Sequence, residues 1–354
     1  MKLRAVTLLV DVNSYDGNLL PLVDHFSKAA DRLAGEFGLS VWTKRLAVAP
    51  TDVGRLLSLA KEFDELPINY ATIPVNVRRP ADAKTVVDAL TGTKRILTSL
   101  HGGEAELGIF TNALAGVANI DAGLCTRVSF TVDTLITTPY FPSAAAPPGG
   151  LGVASALLYV DDLRKALQAS GDIKSKAVEL AKKAYGYLYA LSRELKVDNY
   201  GVDLSFSPWM EDSVAKLVEE YGKANFGDPG THHTIFALNN LLREVASSTG
   251  VASVGYNEIM LPYAEDDRLK ELGAQGKITA YSLLSLASVC VAGLDMVVLP
   301  CRDPKTLKTF MHDAYAVLSS KRRTSAIRVI PAAVDPGQTV DLGRFGSPAA
   351  MKIK

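Results

Sequence analysis

The sequence predicts an α/β fold, a closed barrel of about ten strands with surrounding helices. Three observations carry that expectation. Short apolar runs alternate with amphipathic helical patterns along most of the chain, the signature of parallel βαβ units. The runs number about nine or ten, and closing them on themselves removes the exposed edges that an open sheet would keep. No break in composition divides the chain, so residues 1–354 read as one domain.

The elements follow in order. Ala5–Val10 is a strand, and Leu19, Leu20, Val23, Phe26, Ala30 and Leu33 recur at helical spacing. Val41–Val48 is a second strand, after which Thr51 caps a helix carrying Val53, Leu56, Leu57 and Ala60. Tyr70–Val75 is a third strand. Arg95–Leu100 is a fourth, leading through His101-Gly102-Gly103 into the helix Leu107–Val117, and Val128–Val132 is a fifth. Pro139–Gly152 is too rich in Pro and Gly for regular structure, and an ordered loop of that length is often functional. Leu151–Leu167 becomes helical at its end. Asp172 caps the clearest helix, with Ile173, Ala177, Leu180, Ala184, Tyr187, Leu191 and Leu195 in a narrow stripe that packs on the body or, as the lesser alternative, on a second copy. Val202–Phe206 is a strand, Ser213–Tyr221 a helix, and Thr231 caps another helix through Val245. Val251–Val254 and Glu258–Leu261 are short strand candidates. A helix near Ile278–Val291, a strand Met296–Leu299, a helix from Leu307 to Leu318 and a strand Ala326–Ile330 complete the alternation.

Composition excludes several classes. Lys plus Arg and Asp plus Glu both number 38, so the net charge is zero, and a duplex-DNA binder with a strongly basic face is not expected. The N-terminal apolar run is too short for a signal peptide. Ala280–Pro300 approaches the length of a membrane span, but Gly293 and Asp295 split it into a core helix and a core strand. Cys125, Cys290 and Cys301 form no Cys-x-x-Cys pair, so a reducing, cytoplasmic location is expected.

In parallel α/β folds ligands gather at the carboxyl ends of the strands. The polar residues predicted there are Asp11, Asn13, Asn76, Arg78, His101, Asp133, Asp203, Glu258 and Arg302. Gly102 and Gly103 would let backbone N–H groups approach an anion at a helix start. His101 and His232 are candidate proton carriers, the latter in the first turn of a helix. Glu258, Glu265, Asp266 and Asp267 form an acidic cluster that, with Asp203 or His101, would suit a divalent cation, the candidate cofactor; solvated loop residues are the plainer alternative. Cys301 on its loop is either a reactive thiol with Arg302 beside it or inert. No phosphate loop, His-Glu-x-x-His or Gly-x-Ser-x-Gly motif is present.

Several segments taken together, RAVTLLVDVN, YATIPVNVR, GVDLSFSPWMEDSVAKLVE, GLDMVVLPCRDP, AIRVIPA and DLGRFGSPAAMKIK, resemble the uncharacterised prokaryotic family called domain of unknown function family 711. The resemblance runs from about residue 3 to the C-terminus. It implies a ten-stranded barrel related to that of pyruvate formate-lyase and carries over no catalytic residue. In glycyl-radical enzymes of that fold a loop cysteine faces a C-terminal glycyl radical. Here Cys301 and Gly346 are the nearest counterparts, but Gly346 stands almost at the chain end without the motif's spacing, and relatives often carry Gly at the position of Cys301. Non-radical chemistry is therefore expected. The functional expectation is an enzyme that binds a small polar or anionic metabolite, with His101, His232, Asp203 and Glu258 as acid–base groups and Asp11, Asn13, Asn76, Arg78, Gly102, Gly103, Asp133 and Arg302 as ligand-binding groups. The alternatives are a non-catalytic binding or regulatory protein and an oligomeric assembly protein. A small-molecule ligand is the expected partner, a homo-oligomer a further candidate, and neither nucleic acid nor a membrane is expected.

Overall fold

The computed structural model describes residues 1–290 and 293–354. Strands β1 (Lys2–Val10), β2 (Ser40–Val41), β3 (Lys44–Val48) and β4 (Thr51–Asp52) open the chain, with helix α1 (Leu19–Glu36) after the first of them. Helix α2 (Leu56–Asp64), β5 (Tyr70–Asn76), α3 (Asp82–Thr91), β6 (Ile96–Gly102), α4 (Glu104–Ala118) and β7 (Val128–Val132) follow. After a long connection come β8 (Leu151–Leu158), α5 (Val160–Ser170), α6 (Ile173–Leu195) and β9 (Asp198–Asp203). Helices α7 (Val214–Gly222), α8 (Thr231–Thr249), α9 (Asp267–Ala274) and α10 (Ala280–Leu286) precede β10 (Gly293–Pro300), α11 (Pro304–Ser320) and β11 (Ala326–Ala332).

Most elements sit where the apolar periods place them. Helix α6 begins after Asp172, whose carboxylate accepts the Ser175 N–H, and its predicted stripe is buried against α1, α5 and α8 within the chain. Leu151–Leu167 divides into the strand β8 and the start of α5. Thr51 lies in β4, and Asp52 caps the following turn instead by accepting the Gly54 N–H at 2.8 Å. The helix expected near Ile278–Val291 is shorter, capped by Thr279 and ending at Leu286; Val291 lies outside the described residues. Among the described residues no helix is long and apolar enough to cross a membrane.

The expected closed barrel of about ten strands is not what forms. Among the described residues the strands make one open sheet of 11, in the order β10-β11-β7-β6-β5-β3-β1-β8-β9, with β2 paired to β1 and β4 to β5. The sheet is mixed: β8 runs antiparallel to β1, and β11 antiparallel to β7. Strands β9 and β10 are its two ends. The segment that would have to pair there is the one holding the predicted strands Val251–Val254 and Glu258–Leu261. Among the described residues it makes only single bridges, Ser253 with Val202 and Ile259 with Phe206. Its backbone explains why. Gly250, Gly255 and Asn257 have positive φ, which breaks an extended run. The Asp203 carboxylate takes the N–H groups of Tyr256 at 2.8 Å and Asn257 at 3.1 Å, donors that a ladder would need.

One face of the sheet packs on the helices: Val6, Leu8 and Val10 of β1 join Val23 and Phe26 of α1 in the main core. The opposite face carries a separate apolar cluster of Leu9 with alanines, Ala47 and Ala154 among them, and the 133–150 connection lies on it. That connection is pinned in place. Thr72 donates to the Pro142 carbonyl at 2.7 Å, Ser143 meets Ser129 at 3.0 Å, and the Ala146 N–H donates to the Val48 carbonyl. The predicted Pro/Gly loop is thus an internal plug laid across the sheet.

Candidate functional site

The plug separates two cavities. The first lies at the amino ends of the parallel strands, because Arg4, Arg45, Tyr70, Leu97 and Ser129 stand near the starts of β1, β3, β5, β6 and β7. It offers about 60 Å³ to the centres of water-sized molecules, room for a few waters or a small ligand. Strands β10 and β11 contribute Asp295 and Arg328, which are register partners, and the turn before α9 contributes Glu265. The C-terminal tail brings in Arg344.

Four guanidinium groups therefore meet two carboxylates. Arg4, at 7% exposure, pairs with Glu265. Arg328 grips Asp295 with two hydrogen bonds, at 2.5 and 2.9 Å, and reaches Glu265 at 2.9 Å. Among the described residues Arg45, at 8% exposure, donates only to the Thr43 hydroxyl, at 2.8 Å, and lies 5.0 Å over the Phe141 ring. Arg344 donates to the Tyr70 hydroxyl at 2.5 Å and lies over the Tyr70, Phe345 and Trp209 rings. Among the described residues neither Arg45 nor Arg344 has a carboxylate within 4.0 Å. Trp42 and Trp209, 4.5 Å apart edge to face, complete the aromatic wall.

The electrostatics follow from this excess. Burial pulls the Arg45 guanidinium down to about 9, and the neighbouring charges of Arg4 and Arg344 act in the same direction. Burial also lowers Arg344. Burial alone would raise Glu265, but Arg4, Arg328 and Arg344 outweigh it and hold the carboxyl below its ordinary range. Burial raises the Tyr140 and Tyr256 hydroxyls, so both stay protonated and can donate. Tyr140 donates to Ser207 at 2.9 Å. Cationic side chains with few acceptors, aromatic faces and protonated hydroxyls form a setting for an anion.

None of the residues predicted as catalytic or ligand-binding lines this cavity, though Glu265 of the predicted acidic cluster does. The structure sorts them into separate groups. Asp203 is fully buried and accepts from the Ser205, Tyr256 and Asn257 N–H groups and the Ser205 and Thr138 hydroxyls. Burial raises its pKa against the pull of those bonds. Ser205 also accepts from the Glu258 N–H, so Asp203 and Glu258 do come together. The Glu258 carboxylate is buried and faces Arg323 and, at 3.7 Å, Arg243. His232 is exposed and meets Ser285 at 3.0 Å. Asp11 accepts from the Asn13 and Gly149 N–H groups and so anchors the plug, while Asn13 accepts from Arg55. Arg78 and Arg79 give their N–H groups to Asp82. Asn76 ends β5 in an exposed position, and Arg302 pairs with Asp335 at the surface. Gly103 is the N-cap of α4, its N–H bound by Glu106, and Asp133 donates its N–H to the Gly102 carbonyl. Among the described residues no hydrogen bond joins His101 or His232 to Asp203 or Glu258, and no three His, Cys, Asp or Glu side chains gather as a metal-binding group. Cys301 is half-buried, with its thiol pKa raised by burial.

His101 lines the second cavity, about 300 Å³ at the carboxyl ends, together with Pro50, Thr134–Thr137 and Ala145–Pro148. A rule that looks only at strand ends passes over the arginine cavity. The sequence did hold a signal for it: Arg4, Arg45 and Arg328 each interrupt an apolar strand, in LRAVTLLV, KRLAV and AIRVIPA, where burying a charge is costly unless a partner waits. Arg344 carried no such signal, because its tail has no period.

The profile of the family described as "Uncharacterised ACR (DUF711)" matches residues 1–343. Similar proteins span nearly the same length. A UPF0210 protein of Sulfurisphaera tokodaii is 24% identical over 99% of this chain and 86% of its own. One of Pyrobaculum aerophilum is 26% identical over 100% of this chain and 90% of its own, and one of Lactobacillus helveticus is 24% identical over 92% and 82%. With its profile matched over nearly every residue, this chain belongs to the Uncharacterised ACR (DUF711) family.

Proposed function

We propose that the protein binds a small anion, a carboxylate or a phosphate, in the arginine cavity. One observation carries this reading: Arg45 is buried beside two other guanidinium groups with no carboxylate of its own. Removing a charged group from water is costly, and a fold keeps such a group most readily when a ligand supplies the counter-charge. Arg344 enters from the tail and reaches the same anion from the mouth of the cavity. Tyr256 and Ser143 bring further hydroxyls to the same cavity, and the Trp42, Phe141 and Trp209 rings cover the apolar part of an organic ligand. The small volume selects compact ligands. Glu265 and Asp295 hold Arg4 and Arg328 in fixed positions, so the ligand meets a preorganised site.

The test is a thermal-shift titration with phosphate, oxalate and pyruvate, at constant ionic strength set by chloride. Binding to the native state raises its stability by mass action, by about 2.7 kcal/mol at a hundredfold excess over Kd. A saturable rise with one of the anions, absent in Arg45→Met and in Arg344→Met, supports the reading. The anion that binds separates carboxylate from phosphate recognition. A rise of equal size in the wild type and both variants refutes it, as does no rise with any of the three.

A further inference from the structure

The charge of the arginine cavity does not balance. Four guanidinium groups and two carboxylates line it, which leaves two positive charges over. The surplus falls on two particular residues. Glu265 and Asp295 are taken up by Arg4 and Arg328. Among the described residues Arg45 spends only its Nε–H, on Thr43, and Arg344 one Nη1 N–H, on Tyr70. A guanidinium has five N–H donors, so each of the two keeps terminal donors that no described residue fills.

The two surplus groups are neighbours. Arg45 and Tyr70 are register partners of β3 and β5, so their side chains leave the same face of the sheet, and Arg344 lies 4.5 Å over the Tyr70 ring. The charge of Arg344 bears directly on Arg45. Long cationic side chains on a surface turn ordinarily extend into water. Arg344, on the tail turn Gly343–Phe345, lies across Tyr70, Phe345 and Trp209 and lines the cavity, with its outer side open to solvent. The turn is tied on both sides, because the Leu342 N–H donates to the Gly346 carbonyl and the Val340 N–H to the Pro348 carbonyl. Two like charges are thus held at one cavity, Arg45 buried within it and Arg344 at its mouth. We propose that the ligand of this cavity is a compact dianion, bound between Arg45 and Arg344 so that each guanidinium takes up one of its two negative charges. This rests on the anion reading above and narrows it, since a monoanion would neutralise one guanidinium and leave the other opposed. A short dicarboxylate gives each guanidinium a carboxylate edge of its own, and a tetrahedral dianion shares one centre between them. The volume of about 60 Å³ for the centres of water-sized molecules limits either to a few atoms.

Isothermal titration calorimetry near neutral pH, at constant ionic strength set by chloride, tests this with two pairs of near-isosteres that differ by one charge. The pairs are oxalate against oxamate and sulfate against methanesulfonate. In at least one pair the dianion is expected to bind the wild type about tenfold tighter than its monoanion, or more, the worth of one further charge-assisted contact. A preference in the oxalate pair identifies a dicarboxylate, and one in the sulfate pair a tetrahedral dianion. In Arg344→Met the preferred dianion loses that whole advantage and falls to or below the affinity of its monoanion for the wild type. A smaller preference in both pairs overturns the proposal, while saturable binding of any of the four keeps the anion reading. Binding by none of the four overturns both. A dianion that still binds Arg344→Met more tightly than its monoanion binds the wild type overturns the proposal as well. A thermal melt without anion checks that the variant folds, and the wild-type comparison needs no variant.

Discussion

At the residue scale the molecule is governed by a few buried charges. Arg45 is destabilising in the free protein, since burial and two like charges oppose its charged form. Replacing it with Met should leave the unliganded protein as stable or more so, by about 1 kcal/mol, while abolishing anion binding. Chemical denaturation of wild type and variant without added anion checks the first half. Glu265 is the opposite case. It ties Arg4 of β1 to Arg328 of β11, and Glu265→Ala leaves both guanidiniums short of a partner in a buried setting. A loss of about 3–5 kcal/mol in urea unfolding is expected. Asp212 gives a pH signature. Its carboxylate accepts the Asp161 N–H at 2.6 Å, but burial, with Asp161 and Asp162 nearby, raises its pKa from 3.8 to about 6. An acid with a raised folded pKa stabilises fully below its unfolded pKa and loses that contribution as pH rises through the folded value. Asp212→Asn should therefore gain on the wild type between pH 4 and pH 8, by about 1–2 kcal/mol, measured as the change in the stability difference.

At the scale of elements, the amphipathic helices were the most legible. The stripe of α6 and its Asp172 cap fall where spacing and capping chemistry put them. Strands buried on both faces, such as β7, were equally plain because they read as continuous apolar runs. Helices α3 and α9 escaped notice because their apolar residues are few and short in period. The misread segment is 251–261, where local hydrophobicity favours strands and backbone conformation forbids them. Gly255 has φ of 88°, and a Cβ there would stand 2.2 Å from the Asp203 carboxylate. Gly255→Ala should cost about 2–4 kcal/mol, from the positive φ and the clash together. A thermal melt beside a control such as Gly35→Ala, at a helical position with open space, isolates the effect.

At the scale of the whole molecule, alternating elements revealed the α/β class and the sheet's large size, but not whether the sheet closes. Closure depends on two strands far apart in sequence, β9 and β10, and on the irregular segment between them, which no apolar period describes. Hydrogen exchange should follow the open arrangement, with the amides of β5 and β6 protected most and those of Gly250–Val254 least. The site was hidden for a related reason. Strand ends can be read from a sequence, but the meeting of Arg4, Arg45, Arg328 and Arg344 requires β1, β3, β11 and the tail to be assembled first. The most direct test of that assembly as an anion site is a crystal soaked in bromide and measured at the bromine absorption edge. The expected result is an anomalous peak inside the cavity, within hydrogen-bond reach of Arg45 and Arg344, that vanishes in Arg45→Met. Bromide found only on the outer surface, with the cavity free of it, would contradict the account.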